Sequence, residues 1–248
     1  MKFTALSSLL VSALGLVHAT PVARQTKAPY FFLIGDSTVA ERGGWGNGLL
    51  EYLKDPAKGE NRAVSGTTTV SWKSNGRWDD LLESVEANKD DYEPIITIQF
   101  GHNDQKGMEL DEFQSNLESI VADLTEAGGT PILITSLTRR RFEDGKVIEN
   151  LAEWAAATID AAESTGVHYL DLNRASTDYI NAIGEEDGAK YNLNGDDYTH
   201  LNPSGEKVFG RMTLDLLLEA REDLAEYFEE NEALSEKIAN GEYATGDE

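Results

Sequence analysis

The feature that most constrains the fold is an alternation of short apolar runs with longer amphipathic ones through the middle of the chain. Tyr30–Ile34, Ile95–Phe100, Pro131–Ser136 and Val167–Leu170 are each bounded by Gly, Pro or polar residues. Runs this short and this apolar read as strands buried on both faces, as in a parallel sheet. Glu60–Val64 is a weaker fifth candidate. Between them Gly46–Leu53, Asp79–Asn88, Leu110–Ala127 and Glu149–Ser164 read as helices. In the third, Phe113, Leu117, Ile120, Val121 and Leu124 recur along one stripe at helical spacing. A last helix is expected from Pro203, with Val208, Met212, Leu216 and Leu217 on its buried side. Strands alternating with helices predict a doubly wound α/β domain, and no repeat or long linker divides it.

Both ends of the chain read differently from this middle. Lys2, the apolar stretch Leu6–Val17 and the small-x-small triplet Val17-His18-Ala19 read as a secretory signal over residues 1–19. The stretch is too short for a membrane anchor, so an extracellular protein is expected. Residues 20–28 read as a flexible leader, 29–220 as the folded domain and 221–248 as an acidic extension, in which Leu224, Tyr227 and Phe228 can pack as part of a helical extension and the last ten residues fray. Residues 219–248 hold 2 basic and 11 acidic side chains. The whole chain carries 21 basic and 45 acidic residues, a formal charge of −24. That balance disfavours nucleic acid and anionic membranes, which are bound through Lys/Arg-rich surfaces. The absence of cysteine excludes disulfide scaffolds, zinc ribbons, Fe–S clusters and thiol nucleophiles.

In open α/β sheets ligands collect at the carboxyl ends of the strands. There the sequence places Gly35-Asp36-Ser37-Thr38 after the first strand and Ser65-Gly66 after the uncertain one. Gly101-His102-Asn103-Asp104 follows the next strand, and Asp197-Tyr198-Thr199-His200 precedes the last helix. His168 sits inside an apparent strand and reads as structural. Asp197, three residues before His200, can orient that imidazole and leave its other nitrogen for a serine. A serine hydroxyl needs such a base within hydrogen-bond reach. Taken singly, Gly-Asp-Ser and Asp-x-x-His are ordinary turn and cap patterns; together they converge on one sheet edge.

On these four blocks, spanning residues 35 to 200, the sequence resembles the SGNH (GDSL-like) hydrolases. The resemblance implies a flavodoxin-like, three-layer α/β/α fold around a five-stranded parallel sheet, and ester hydrolysis. It implies Ser37 as nucleophile, His200 as general base and Asp197 as its orienting carboxylate. It implies an oxyanion hole from the Ser37 and Gly66 N–H groups and the Asn103 amide, with no metal or cofactor. Gly35-Asp36-Ser37-Thr38-Val39-Ala40, Phe100-Gly101-His102-Asn103-Asp104, Thr138-Arg139-Arg140 and Thr199-His200-Leu201-Asn202 are similar to secreted rhamnogalacturonan acetylesterases. That likeness implies an acetylated pectic polysaccharide as substrate. The missing cysteines and the long acidic tail depart from the fungal members.

Arg139 and Arg140, with Arg141, follow the strand ending near Ser136 and are candidate clamps for a substrate carboxylate. Trp72 and His102 are further candidate substrate contacts; Trp45 and Trp78 lie in the same loops. Packing against the sheet and support of the loop are the competing readings for the tryptophans and His102. Xylan acetyl groups, lipid or small acyl esters, and a catalytically silent carbohydrate-binding protein are the rival functions. A monomer is expected.

Overall fold

The computed structural model describes residues 27–248. The expected signal over residues 1–19, and all but the last two residues of the 20–28 leader, lie outside the described residues. The chain runs β1 (Pro29–Gly35), α1 (Gly46–Leu50), β2 (Lys58–Asn61), α2 (Arg77–Asn88), β3 (Glu93–Gln99), α3 (Leu110–Ala127), β4 (Thr130–Ile134), the short hairpin β5 (Phe142–Glu143) and β6 (Lys146–Val147), α4 (Ala152–Thr165), β7 (His168–Leu170), α5 (Leu172–Ala189), α6 (Pro203–Ala220) and α7 (Glu232–Ala239). The main sheet is five-stranded, in the order β2-β1-β3-β4-β7, and every pairing in it is parallel. Among the described residues no helix is long and apolar enough to cross a membrane.

Side chains alternate across a strand, and here both faces are covered. Phe31 and Leu33 of β1, with Ile95, Ile132 and Ile134, face Leu49, Val208 and Phe209 of α1 and α6. Phe32 and Ile34, with Ile96, Ile98 and Leu133, face Leu81, Val85, Phe113, Leu117 and Ile120 of α2 and α3. This makes three layers. Helices α1 and α6 touch through glycines: a Cβ on Gly48 would lie 2.1 Å from the Glu206 carbonyl oxygen, and one on Gly210 2.4 Å from the Gly48 carbonyl carbon. Backbone is therefore packed on backbone, which fixes where α6 begins.

The expected strands and helices are present, with shifted ends. Strand β2 stops at Asn61, yet Arg62 N–H and Val64 N–H still donate to Leu33 and Gly35 at 2.8 and 2.9 Å, so pairing continues without regular strand geometry. Helix α5 is absent from the sequence reading. Its buried face mixes Leu172 and Ile180 with Asn173, Ser176 and Thr177, which blurs the apolar period, and Gly184 (φ 80, ψ 174) kinks it.

The acidic extension packs as Leu224 and Phe228 suggested, and its last ten residues do not fray. Leu224, Phe228, Leu234 and Ala244 all join the core under β1 and α6. Tyr191 donates its hydroxyl to the Ala244 carbonyl at 2.7 Å. The final carboxylates are neutralised locally: Asp247 pairs with Lys207, and Glu248 with Lys237 at 3.0 Å. Composition alone did not show these partners. Burial pushes the Glu248 side-chain carboxyl up, but the N–H groups of Thr245 and Gly246 and the Lys237 ammonium outweigh it and hold it at about 2, against 4.5 ordinarily. A carboxyl lowered in the folded state stabilises above its unfolded pKa and loses that contribution as pH falls through the folded one. Glu248→Gln is therefore expected to melt about 2–4 °C below the parent at neutral pH for each kcal/mol lost. The gap should close as pH drops from 4.5 toward about 2. Thermal melts across that range check this; a constant gap would refute the clip.

Candidate active site

Strand β1 ends in a tight turn that presents Ser37, half-buried, at the carboxyl edge of the sheet. Val39 N–H and Ala40 N–H both fold back onto the Asp36 carbonyl, at 3.2 and 3.1 Å. Beneath the serine runs a buried polar chain. Asp36 Oδ1 accepts from Thr38 N–H (2.9 Å) and its hydroxyl (2.8 Å). Thr38 Oγ1 accepts from Gln99 Nε2 at 2.5 Å, and Gln99 Oε1 from the Trp45 indole at 2.9 Å. The other Asp36 oxygen lies 3.7 Å from His102 Nδ1. Burial pushes the Asp36 carboxyl up, but His102 and the Thr38 donors outweigh it and hold it below the usual carboxylate range.

His200 arrives from the start of α6. Its Nε2 is 2.8 Å from Ser37 Oγ and its Nδ1 is 2.8 Å from Asp197 Oδ2. The other Asp197 oxygen accepts from the backbone N–H of Thr199 (3.1 Å) and His200 (2.9 Å). Desolvation raises the Asp197 carboxyl; those backbone donors and the His200 ring prevail and keep it below its ordinary value. The turn is locked to the nucleophile loop by Leu201 N–H donating to the Gly43 carbonyl at 2.9 Å and Gly43 N–H to Glu206 at 2.7 Å. Asn202 caps α6 by accepting from Gly205 N–H at 3.0 Å, so the cap belongs to Asn202 and leaves Asp197 to the imidazole.

Facing the serine are three donors. The backbone N–H groups of Ser37 and Gly66 have no partner among the described residues. The Asn103 amide donates one hydrogen to the Thr67 carbonyl at 2.9 Å and accepts from Lys106 Nζ at 2.8 Å, leaving its second hydrogen free. A Cβ on Gly66 would meet open space, so glycine is needed there for its φ of 80° and not for room. Asp104 fastens the two loops: its Oδ1 accepts from Thr69 N–H (2.8 Å) and hydroxyl (2.7 Å), its Oδ2 from Gly101 N–H (3.1 Å). Burial raises the Asp104 carboxyl against those donors.

Ser37, Gly66, Asn103 and His200 line one cavity of about 560 Å³. Arg42, Lys106 and Arg139 also line it, and among the described residues no carboxylate does. Arg139 is held by Thr199 Oγ1 and Asn150 Oδ1, both at 3.2 Å. Lys106 escaped the sequence reading, having no signal beyond its place three residues after Asn103. His102 edges the cavity but is only 2% exposed, wedged against Asp36.

Two candidate contacts are elsewhere. Trp72 is buried against α2 and α3, its indole donating to the Arg62 carbonyl at 3.1 Å, because that apolar layer needs a large side chain more than the cleft does. Arg140 is 2% exposed and lies beneath the His200 turn. Its Nε donates to Asn192 at 2.9 Å and its Nη2 to the His200 carbonyl at 2.6 Å. Burial draws this guanidinium down to about 10, against the pull of Asp197. It cannot meet substrate; it supports the base. Trp45 is likewise buried, and Trp78 stacks under Lys73 at 4.1 Å.

Residues 33–208, from within β1 into α6, match the model of the GDSL-like lipase/acylhydrolase family. The chain is 27% identical over 201 residues to the Bacillus subtilis protein named probable rhamnogalacturonan acetylesterase YesY, covering 75% of this chain and 90% of that one. It is 31% identical over 170 residues to rhamnogalacturonan acetylesterase RhgT of Bacillus subtilis, covering 64% of this chain and 71% of that one. A crystal structure of the Bacillus subtilis protein YxiM shares the fold with a TM-score of 0.66 and 22% identity; the likeness covers 81% of this chain but only 58% of that longer one.

Asp104→Ala strips three buried donors of their acceptor, at about 1–3 kcal/mol each. Chemical unfolding should register a loss of about 3 kcal/mol or more. Turnover should fall further than substrate affinity, since the Asn103 and Gly66 loops separate. An unchanged unfolding midpoint would show that the loops do not depend on this carboxylate.

Proposed function

The chain belongs to the GDSL-like lipase/acylhydrolase family, a family of carboxylic ester hydrolases, and on that premise we propose a secreted serine esterase that removes O-acetyl groups from plant cell-wall polysaccharide, rhamnogalacturonan above all. The observation that carries the reading is the relay of Ser37, His200 and Asp197, two contacts of 2.8 Å each at the mouth of the cavity. The polymer is suggested by the similarity to rhamnogalacturonan acetylesterases and by a cleft lined with cations in an otherwise acidic chain. The N-terminal secretory pattern supports an extracellular site of action.

The chemistry follows from the geometry. His200 Nε2 takes the Ser37 proton as Oγ bonds to the acetyl carbonyl carbon. Negative charge then develops on the carbonyl oxygen, where the Ser37 and Gly66 N–H groups and the free Asn103 hydrogen are aimed. Such donors act without reorganising, and each is worth about 10²–10³ in turnover. The imidazolium, steadied by Asp197, returns the proton to the departing sugar oxygen as the C–O bond breaks, leaving an acetyl group on Ser37. Water, deprotonated by His200, attacks that ester, and acetate leaves as Ser37 regains its proton.

An acetate-release panel tests this, comparing acetylated rhamnogalacturonan, homogalacturonan, xylan and p-nitrophenyl acetate. Rhamnogalacturonan should be preferred, and Ser37→Ala should lose about 10⁴-fold or more on all four. Acetate release retained by Ser37→Ala would end the serine-esterase reading; preference for xylan would change the polymer alone. Asp197→Ala should cost less than His200→Ala, because it orients the base without moving the proton. Kinetics showing equal or greater loss at Asp197 would reverse that assignment.

A further inference from the structure

On the far side of His200 lies a second cavity of about 510 Å³, lined by Arg139, Arg141, Asn150 and Tyr198. It shares Arg139, Thr199 and His200 with the catalytic cavity. The two cavities therefore adjoin, with His200 lining both. A small acetyl ester needs only the first.

The second compartment has the chemistry of a sugar site. Tyr198 is 38% exposed, unusual for a large ring in this protein, while its backbone is anchored by Arg140 N–H donating to its carbonyl at 2.9 Å. A ring exposed on a fixed backbone offers a face for an apolar sugar surface. Arg141 is exposed, and its guanidinium makes no ion pair or hydrogen bond among the described residues. Arg139 has no carboxylate partner there either, but its guanidinium is occupied: its bonds go to Thr199, Asn150, the His102 carbonyl and the Gln105 amide oxygen. Of the two carboxylates that reach this cavity, Asp197 is committed to His200, which leaves Asp196. Arg141 is thus the one guanidinium lining this cavity that has no hydrogen-bond or ion-pair partner among the described residues.

We propose that this compartment is a subsite for the stretch of polymer beyond the acetylated unit, with Tyr198 stacking on a sugar ring and the exposed Arg141 pairing with a galacturonate carboxylate of that chain. The subsite rests on the esterase reading for its place in a reaction.

The test compares full-length Tyr198→Ala and Arg141→Gln with the parent. The readout is the ratio of kcat/KM on acetylated rhamnogalacturonan oligosaccharides to that on p-nitrophenyl acetate, a ratio that is insensitive to loss of folded enzyme. Each variant should lower it about 10-fold, through KM, since a charge-assisted or stacking contact is lost. In a Ser37→Ala background, calorimetric affinity for the deacetylated oligosaccharides should fall by about the same factor. Carboxyl-reduced oligosaccharides should abolish the effect of Arg141→Gln and preserve that of Tyr198→Ala. A ratio and an affinity both within about twofold of the parent would overturn the subsite. If the parent cleaves p-nitrophenyl acetate but no pectic ester, the polymer reading fails, and the affinity measurement alone decides the subsite.

Discussion

The parallel pairing of β1 with β3 is the constraint on which the site depends. It runs from Pro29 opposite Glu93 to Gly35 opposite Gln99, so both strands release the chain at one level. Ser37 and Asn103 therefore emerge side by side although 66 positions separate them in sequence. The register cannot slip by one residue: Phe31 and Leu33 would trade faces with Phe32 and Ile34, and both cores would lose their fit. The β2 edge extends the same logic, since the bonds from Arg62 and Val64 carry the chain alongside β1 until Gly66 stands opposite the serine. Only the His200 turn comes from outside the sheet. Its position is set by the glycine contact of α1 with α6 and by the grip of Gly43 on Leu201.

Where the apolar ladder ends, polar groups are buried and must find partners. Asp36 Oδ1, Thr38, Gln99 and Trp45 bond to one another beneath Ser37, while Asp36 Oδ2 finds only His102 Nδ1 at 3.7 Å; Asp104, Thr69 and Gly101 are bonded together beneath Gly66 and Asn103. On the far side Ser136 donates to the Phe100 carbonyl at 2.7 Å, and Asn173 to the Ser136 carbonyl at 2.7 Å. Such networks are costly when half made and rigid when complete. Their product is rigidity: the loops that carry Ser37, Gly66 and Asn103 are held by buried hydrogen bonds, and donors fixed in advance are the ones that stabilise a developing charge without reorganising.

What the sequence disclosed follows from how local each signal is. Runs such as Ile95–Phe100 declare a buried strand by themselves, and Ser37, Gly66, Asn103, Asp197 and His200 lie at the ends of such runs or beside a helix start. The structure brings those five together. Arg140 misled because the run Arg139-Arg140-Arg141 reads as one exposed cluster. Alternation along an extended chain sends Arg140 inward, where Asn192, 52 positions away, receives it. Trp72 misled for a related reason, since nearness to Gly66 in sequence says nothing about which layer fills with its indole. The packing of the last ten residues was illegible because their partners are distant: Tyr191 holds Ala244 across 53 positions, and no periodicity announces that.

The electrostatics turn on distance. Salt screens charges over about 8–10 Å, so a net charge of −24 is felt by an approaching polyanion mainly at low ionic strength. Contact is governed by what lines the groove, and there Arg42, Lys106 and Arg139 stand without a carboxylate in the catalytic cavity. Part of the acid is meanwhile occupied: Asp247 and Glu248 are tied to lysines, and Glu93 and Asp223 share Arg221. The bulk charge thus keeps the protein dispersed, while the groove presents the opposite sign over the short range where binding is decided. An acidic isoelectric point and a site for an anionic sugar are compatible because they act over different lengths.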